Sequence, residues 1–273
     1  MRKVLRDRLY KGIGLTFLAA TLLILYAPIL VILVLSVNDS RRGYAWEGFT
    51  LKWYYALFTG SALTEPILNT LAVAFTATAV ATVLGTIFAI GINALEKKRR
   101  VKMVLLNNIP VVNPDIVTAI SLMIVFSLLS LTFGFGTVLL AHIFFSMPYV
   151  ILSILPALRK LDANLYEAGL DLGCSRGQAV TKVILPNIAT GIFSGAMMAF
   201  TMSIDDFVIT YFTSGANYMN VSTWLYSKLR LPQAFTPAAY AYNIIIFAVT
   251  IAVIVSSNLV NVRKERLKNE KIG

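Results

Sequence analysis

Six long apolar stretches most strongly limit what this chain can fold into. A membrane-spanning helix needs about 20 consecutive, mainly apolar residues, and six segments of the 273-residue sequence meet that need. Their apolar runs are continuous and do not alternate with period two, so a closed barrel is not predicted. The sequence therefore predicts an all-α membrane protein with six transmembrane helices. The predicted spans are 14–37, 66–94, 103–130, 135–157, 188–212 and 239–262.

The basic residues are distributed unevenly among the connections between these spans. The net charge is +11, and 19 of the 24 Lys and Arg lie before span one, between spans two and three, between spans four and five, or after span six. Connections rich in Lys and Arg stay on the cytoplasmic side of a membrane. Both termini are therefore predicted to be cytoplasmic. This topology accounts for the basic charge without a nucleic-acid partner.

The residue types that carry most enzyme chemistry are scarce. The single cysteine, Cys174, can form neither a disulfide within the chain nor a cysteine-based metal site. The single histidine, His142, is interpreted as a polar residue packed between helices. No Walker A pattern or HExxH motif occurs, so we expect no metal, no cofactor and no enzymatic activity in this chain.

The connection between spans four and five predicts two short helices. Asp162 can cap the first helix, and Gly173 fits the position that closes it. Ser175 and Gln178 have the spacing of a capping box for the second helix, and Pro186 either ends that helix or begins span five. From capping alone, an ordinary solvated helical hairpin is the better explanation of this segment.

The spacing of Glu167-Ala168, Gly173 and Leu185-Pro186 resembles the EAA loop of ATP-binding-cassette importer permeases. Gly169 replaces the third small residue of that pattern, and Val183 stands at its isoleucine position. The resemblance implies a type I importer permease with the MetI-like fold, as one domain over 1–273 that includes a cytoplasmic coupling loop at 158–187. It also implies that Glu167, Ala168 and Gly173 couple the permease to an ATPase.

Three further segments are similar to polyamine importer permeases: WEGFTLKWY at 46–54, NPDIVTAISL at 113–122 and SIDD at 203–206. This resemblance implies a bacterial inner-membrane protein that transports spermidine or putrescine. The implied partners are a second homologous permease, two ATPase subunits that hydrolyse ATP, an extracytoplasmic polyamine-binding protein and membrane lipid.

Asp205 and Asp206 lie side by side in the fifth predicted span. An ionised Asp at mid-membrane costs about 2.5–3.5 kcal/mol on insertion scales, so acids there are usually functional. Neighbouring helix positions point about 100° apart. One carboxylate is therefore predicted to face a polycation pathway, with Ser203 on the face of Asp206, while the other braces a neighbouring element. Alternatively, both are structural and cap a broken helix or pair with Lys or Arg.

Asp115 and Trp46 complete the predicted substrate pathway. Asp115 lies in the third span, whose helix we expect Pro110 and Pro114 to interrupt. Trp46 lies in the connection after span one, where an aromatic ring can attract a cation. An interfacial aromatic belt explains Trp46 equally well.

Two other functions remain compatible with parts of the sequence. The same architecture could import a metal, a phosphonate or another small solute, although an anion would call for Lys or Arg well inside the spans. An ATP-independent secondary transporter or channel could use the Asp pair for protons or ions. That second alternative leaves the EAA-like spacing unexplained.

Overall fold

A computed structural model of the protein describes residues 2–40, 45–59, 61–162, 164–229, 237–252 and 255. Within these residues the regular structure is helical, and one isolated bridge joins Asn38 to Phe49. A five-residue π-helical segment, Val180–Ile184, separates two short helices. In chain order the α-helices are α1 (Arg2–Ser36), α2 (Lys52–Thr59), α3 (Ser61–Ala94), α4 (Lys97–Val112), α5 (Asp115–Leu128), α6 (Phe135–Arg159), α7 (Asn164–Asp171), α8 (Arg176–Ala179), α9 (Leu185–Asn187), α10 (Ala189–Ile204), α11 (Val208–Thr213) and α12 (Val221–Leu229), followed by α13 (Ala238–Ala252).

The chain divides into two compact units. The terminal unit comprises Met1–Ser61 and Lys228–Gly273, and the central unit comprises Ala62–Ser227. The terminal unit holds the first apolar span, Gly12–Ser36, whose most apolar window has a mean hydropathy of 2.8 and no buried residue. It also holds α13, which covers the first part of the predicted sixth span. Residues 253, 254 and 256–262 of that span lie outside the described residues, and the single domain over 1–273 stays a prediction.

The central unit contains two long apolar helices and two bent helix pairs. Leu63–Ala94 and Phe135–Arg159 are each long and apolar enough to cross a membrane. The pair α4–α5 bends by 99°, and Arg176–Asn187 bends by 73° against α10. If each bent pair is one span, the described residues hold five candidate spans, with α13 as a shorter sixth apolar helix. The predicted membrane-helix fold is confirmed, but the third and fifth spans are not continuous helices.

The bend in the third span lies at Asn113 and Pro114. Asn113 is extended, with ψ at 135°, because a residue before proline avoids the helical region. Its side-chain amide donates to Thr118 Oγ1 over 2.9 Å. Of the two prolines expected to interrupt this span, Pro110 stays inside α4 and Pro114 marks the bend.

Close packing of α10 against α6 fixes the base of the fifth span. A Cβ on Gly195 would lie 3.1 Å from the Cα of Val150, and one on Gly191 would lie 3.0 Å from the Cβ of Ala157. Small residues four apart let two membrane helices approach closely. The core that results is buried and apolar, and its α6 and α10 members include Val150, Ile151, Ile154, Leu155, Leu158 and Ala199.

Candidate functional site

The fifth span is interrupted where the two carboxylates stand. α10 ends at Ile204, and α11 begins at Val208. Asp205 has φ −105° and ψ 2°, so it follows the last helical residue and does not continue the helix. The expectation of one regular helix carrying both carboxylates is therefore wrong, and their separation comes from the break between α10 and α11.

Asp206 closes this break by capping α11. Its Oδ1 accepts from the backbone N–H of Ile209 over 3.2 Å, and its Oδ2 accepts from the N–H and hydroxyl of Thr210 over 2.7 and 2.8 Å. A carboxylate stabilises the first turn of a helix by pairing its free N–H groups and by its charge. Because its side chain is only 9% exposed, Asp206 braces the backbone instead of presenting an open anionic group.

His142 joins both sides of the break to α6. Its Nε2 lies 3.5 Å from Oδ2 of Asp206 and 3.0 Å from Oγ1 of Thr210. Its Nδ1 lies 2.7 Å from Oγ of Ser203 on α10. His142 is 1% exposed and Ser203 is 2% exposed. The interpretation of His142 as a polar residue packed between helices is confirmed, and Ser203 faces this histidine.

Asn220 ties α12 to the same break. Its side-chain amide donates to the backbone oxygen of Asp206 over 2.9 Å and to Oγ1 of Thr210 over 3.2 Å. Its Oδ1 accepts from the N–H of Thr223 over 2.8 Å, so it also caps the first turn of α12. The sequence analysis missed Asn220, although an Asn directly before a helix is a recognisable N-cap signal.

Asp205 and Asp115 are exposed, in contrast to Asp206. Asp205 follows the end of α10, and Asp115 is the first residue of α5. Asp115 lies close enough to Tyr149 on α6 for an electrostatic interaction between them. Both carboxylates belong to the central unit.

Trp46 belongs to the terminal unit and is 59% exposed. The buried side chain of Asn38 holds the backbone on both sides of it. The amide nitrogen of Asn38 donates to the carbonyl of Ala45 over 2.7 Å, and its Oδ1 accepts from the N–H of Glu47 over 3.0 Å. Trp53 donates from its indole to the backbone oxygen of Asn38 over 2.7 Å. The backbone on both sides of Trp46 is therefore held in place while its side chain stays exposed.

The loop between α6 and α10 has the predicted caps. Cys174 N–H donates to the carbonyl of Gly169 over 3.1 Å and Gly173 N–H to that of Leu170 over 2.9 Å, with φ at +86° for Gly173. These two bonds form a Schellman motif, which requires a left-handed residue. Ser175 and Gln178 form the expected capping box over 3.4 and 3.0 Å.

Gly169 explains how the two halves of this loop pack together. A Cβ there would lie 3.3 Å from Val183 and 3.5 Å from Ala179, so α7 rests directly on the following helical segment. The π-helical segment precedes Pro186 because proline cannot donate to the carbonyl four residues earlier. Glu167 and Ala168 are exposed, and a partner protein can therefore reach them.

The long apolar helices and the bent apolar helix pairs are those of an integral membrane protein. Residues 81–266, more than half of the chain, match the family described as binding-protein-dependent transport system inner membrane component. The chain belongs to this family and is a multi-pass membrane permease subunit of an importer.

Two relatives have closely similar sequences over most of their length. The spermidine/putrescine transport system permease protein PotC of Haemophilus influenzae is 33% identical over 236 residues, which cover 86% of this chain and 91% of that protein. The putrescine transport system permease protein PotI of Escherichia coli strain K12 is 32% identical over 226 residues, covering 80% and 78%.

Solved structures share the fold. A chain of a bacterial ABC transporter involved in the import of the acidic polysaccharide alginate superposes with a TM-score of 0.70 at 18% identity, covering 96% of this chain and 98% of that one. A second structure of a bacterial alginate transporter, in complex with a periplasmic protein bound to alginate pentasaccharide, gives 0.65 at 16% identity, covering 94% and 95%.

Proposed function

We propose that this chain is a permease subunit of an ATP-driven importer for polyamines, with spermidine and putrescine as its substrates. The single observation that carries the cargo class is the exposed carboxylate of Asp205 at the interruption of an apolar span. The names of the PotC and PotI relatives support the same cargo. An exposed acid within such a span favours a cationic solute because it balances an ammonium group away from bulk water.

In this proposal the predicted pathway residues divide into two groups. Asp205, Asp115 and Trp46 contact the substrate, because all three are exposed. Ser203 and Asp206 hold the interrupted span in shape, because both are enclosed by His142 and its neighbours. A linear polycation would thus pass acidic groups on structurally separate elements.

The coupling loop, residues 158–187, is the proposed contact of the permease with its ATPase. We infer that an ATPase subunit contacts the exposed Glu167 and Ala168, and that the Gly173 turn transmits its closure to α10. Two such ATPases, a second homologous permease and an extracytoplasmic polyamine-binding protein complete the importer, in a bacterial inner membrane. Both termini and the loop 158–187 are cytoplasmic in this arrangement, as the distribution of Lys and Arg favours.

The test is uptake of radiolabelled spermidine by the complete complex in membrane vesicles. Asp205→Asn should reduce uptake at least tenfold while the amount of assembled complex stays constant. Glu96→Gln is the matched control, because it neutralises an exposed acid at the start of α4, outside the apolar spans. Wild-type vesicles that take up no polyamine, or that take it up equally well without the ATPase subunits, would refute the proposal.

A further inference from the structure

Three aromatic rings meet beside the interruption of the fifth span. The ring centroid of Phe207 lies 5.4 Å from that of Tyr211 and 4.8 Å from that of Tyr226, and the two tyrosine rings are 5.6 Å apart. These separations are those of rings in direct contact. The three rings come from the break itself, from α11 and from α12, and are called here the aromatic cluster.

The polar contacts at the break hold the aromatic cluster together. Asn220, just before α12, donates to the backbone oxygen of Asp206 over 2.9 Å. Asp206 directly precedes Phe207 and caps the helix that carries Tyr211. Tyr226 is therefore fixed against the other two rings by a hydrogen bond that joins α12 to the break.

The aromatic cluster is not part of the buried core. The core-facing residues of α11 are Ile209, Thr210 and Thr213, each at most 1% exposed. Tyr211 lies on another face of that helix and is 44% exposed, and the rings of Phe207 and Tyr226 are half-buried. The exposed ring of Tyr211, backed by the other two rings, is suited to contact with a ligand.

An open cavity begins at the same place. Its volume is about 560 Å³, which lies within the ~300–1,000 Å³ usual for small-molecule sites. Its lining joins α11 to α5 and contains both apolar and hydroxyl groups. The lining residues are Met123, Ser127, Phe133, Tyr211, Phe212 and Gly215.

The charge beside the aromatic cluster selects the chemical class of the ligand. Asp205 is exposed and stands two residues before Phe207, so their Cα atoms are at most about 7 Å apart. This short separation allows the hydrocarbon chain of an ammonium compound paired with Asp205 to reach the rings. Aromatic faces attract cations and also cover apolar surface.

We propose that Phe207, Tyr211 and Tyr226 form a subsite that holds the methylene segments and a further ammonium group of a linear polyamine whose first ammonium pairs with Asp205. This subsite rests on the proposed function and adds to it the residues that recognise the chain between the charges. The cavity beside Tyr211 receives the remaining length of a longer polyamine. A diamine, which has less chain, gains less from the rings.

The first experiment measures spermidine and putrescine uptake by the complete complex in proteoliposomes, at saturating binding protein. Tyr211→Leu should lower spermidine uptake about 3–10-fold, which corresponds to about 0.65–1.4 kcal/mol and lies inside the range for one cation–π contact, and lower putrescine uptake less. Tyr211→Phe keeps the aromatic face and should stay within about twofold of wild type. Phe75→Leu is the matched control, because it removes a partly exposed ring from another contacting pair, with Phe200.

Equal spermidine uptake by wild type and Tyr211→Leu would overturn the subsite while leaving the proposed function standing. Equal losses in Tyr211→Leu and Phe75→Leu would also overturn it, since the rings would then matter only for packing. A wild-type complex that imports no polyamine refutes the proposed function itself, so the two failures are distinguishable.

A second experiment uses the wild-type chain and so does not depend on how a variant folds. Spermidine carrying a phenyl azide is bound to the complex and activated by light, and the attached peptides are identified. Labelling of peptides within 205–226, removed by excess spermidine, is expected. Label confined to other segments would overturn the subsite, and a lipid or the partner permease would then cover the rings.

Discussion

Replacement by alanine should lower the stability of the complex at Asp206, but should lower uptake without loss of stability at Asp205. Asp206→Ala removes the acceptor for the Ile209 N–H, the Thr210 N–H and the Thr210 hydroxyl. A buried donor without a partner costs about 1–3 kcal/mol, and loss of a helix cap typically costs about 1 kcal/mol. The Thr210 hydroxyl keeps His142 at 3.0 Å, which offsets part of this cost. We therefore expect a net destabilisation of about 2–4 kcal/mol.

The assay is thermal unfolding of the assembled complex in lipid nanodiscs, followed by the fraction that stays soluble after heating. At about 2–4 °C per kcal/mol for chains near this size, Asp206→Ala should lower the melting temperature by roughly 4–16 °C. Asp206→Asn should fall between wild type and Asp206→Ala, because one amide oxygen can still accept.

Asp205→Ala is the internal control, because its exposed carboxylate makes no hydrogen bond with the residues that the structure describes. Its melting temperature should stay within about 2 °C of wild type while spermidine uptake falls. Equal melting temperatures for the two Ala variants would contradict the structural role of Asp206 as the cap of α11. So would an Asp206→Ala complex that is fully stable yet transports nothing.

Three further tests address the packing of α10 on α6, the loop between α6 and α10, and Trp46. Gly195→Leu should prevent assembly, because even its Cβ would lie 3.1 Å from Val150; Gly14→Leu, with open space around it, should assemble normally. Gly173→Ala should cost about 1–2 kcal/mol in its left-handed conformation and lower substrate-stimulated ATP hydrolysis and uptake together. Asn38→Ala should reduce uptake as much as Trp46→Ala does and make the loop around Trp46 easier to cleave with protease.

The parts of this fold that were predictable depend on local chemistry. The apolar stretches specify membrane helices because a segment in lipid must pair its backbone N–H and C=O groups within itself. The caps at Gly173, Ser175 and Gln178 were predictable because each joins residues a few positions apart in the sequence. Their partners are the nearest backbone groups, so the arrangement of the rest of the chain does not alter them.

The break in the fifth span was not predictable in the same way. Hydropathy measures side chains, and the apolar residues Ile204, Phe207 and Val208 continue across the point where the backbone leaves the helix. The contacts at Asp206 depend on His142 and Asn220, which lie 64 residues before and 14 residues after Asp206 in the sequence. Nothing local to the Asp pair shows that His142 will contact the Asp206 carboxylate or that Asn220 will donate to the Asp206 backbone oxygen.

One interruption of the backbone answers two physical requirements. A carboxylate within an apolar span must be paired or reach water, and a broken helix leaves N–H groups without acceptors. The Asp206 carboxylate accepts from the first turn of α11. His142 lies beside the same carboxylate, and Asn220 donates to the backbone oxygen of Asp206. Because these needs are met inside the break, its neighbour Asp205 is not required as a cap and stays exposed. The same contacts hold α12 against α11. The break that leaves Asp205 exposed therefore also places the three rings of the aromatic cluster near it.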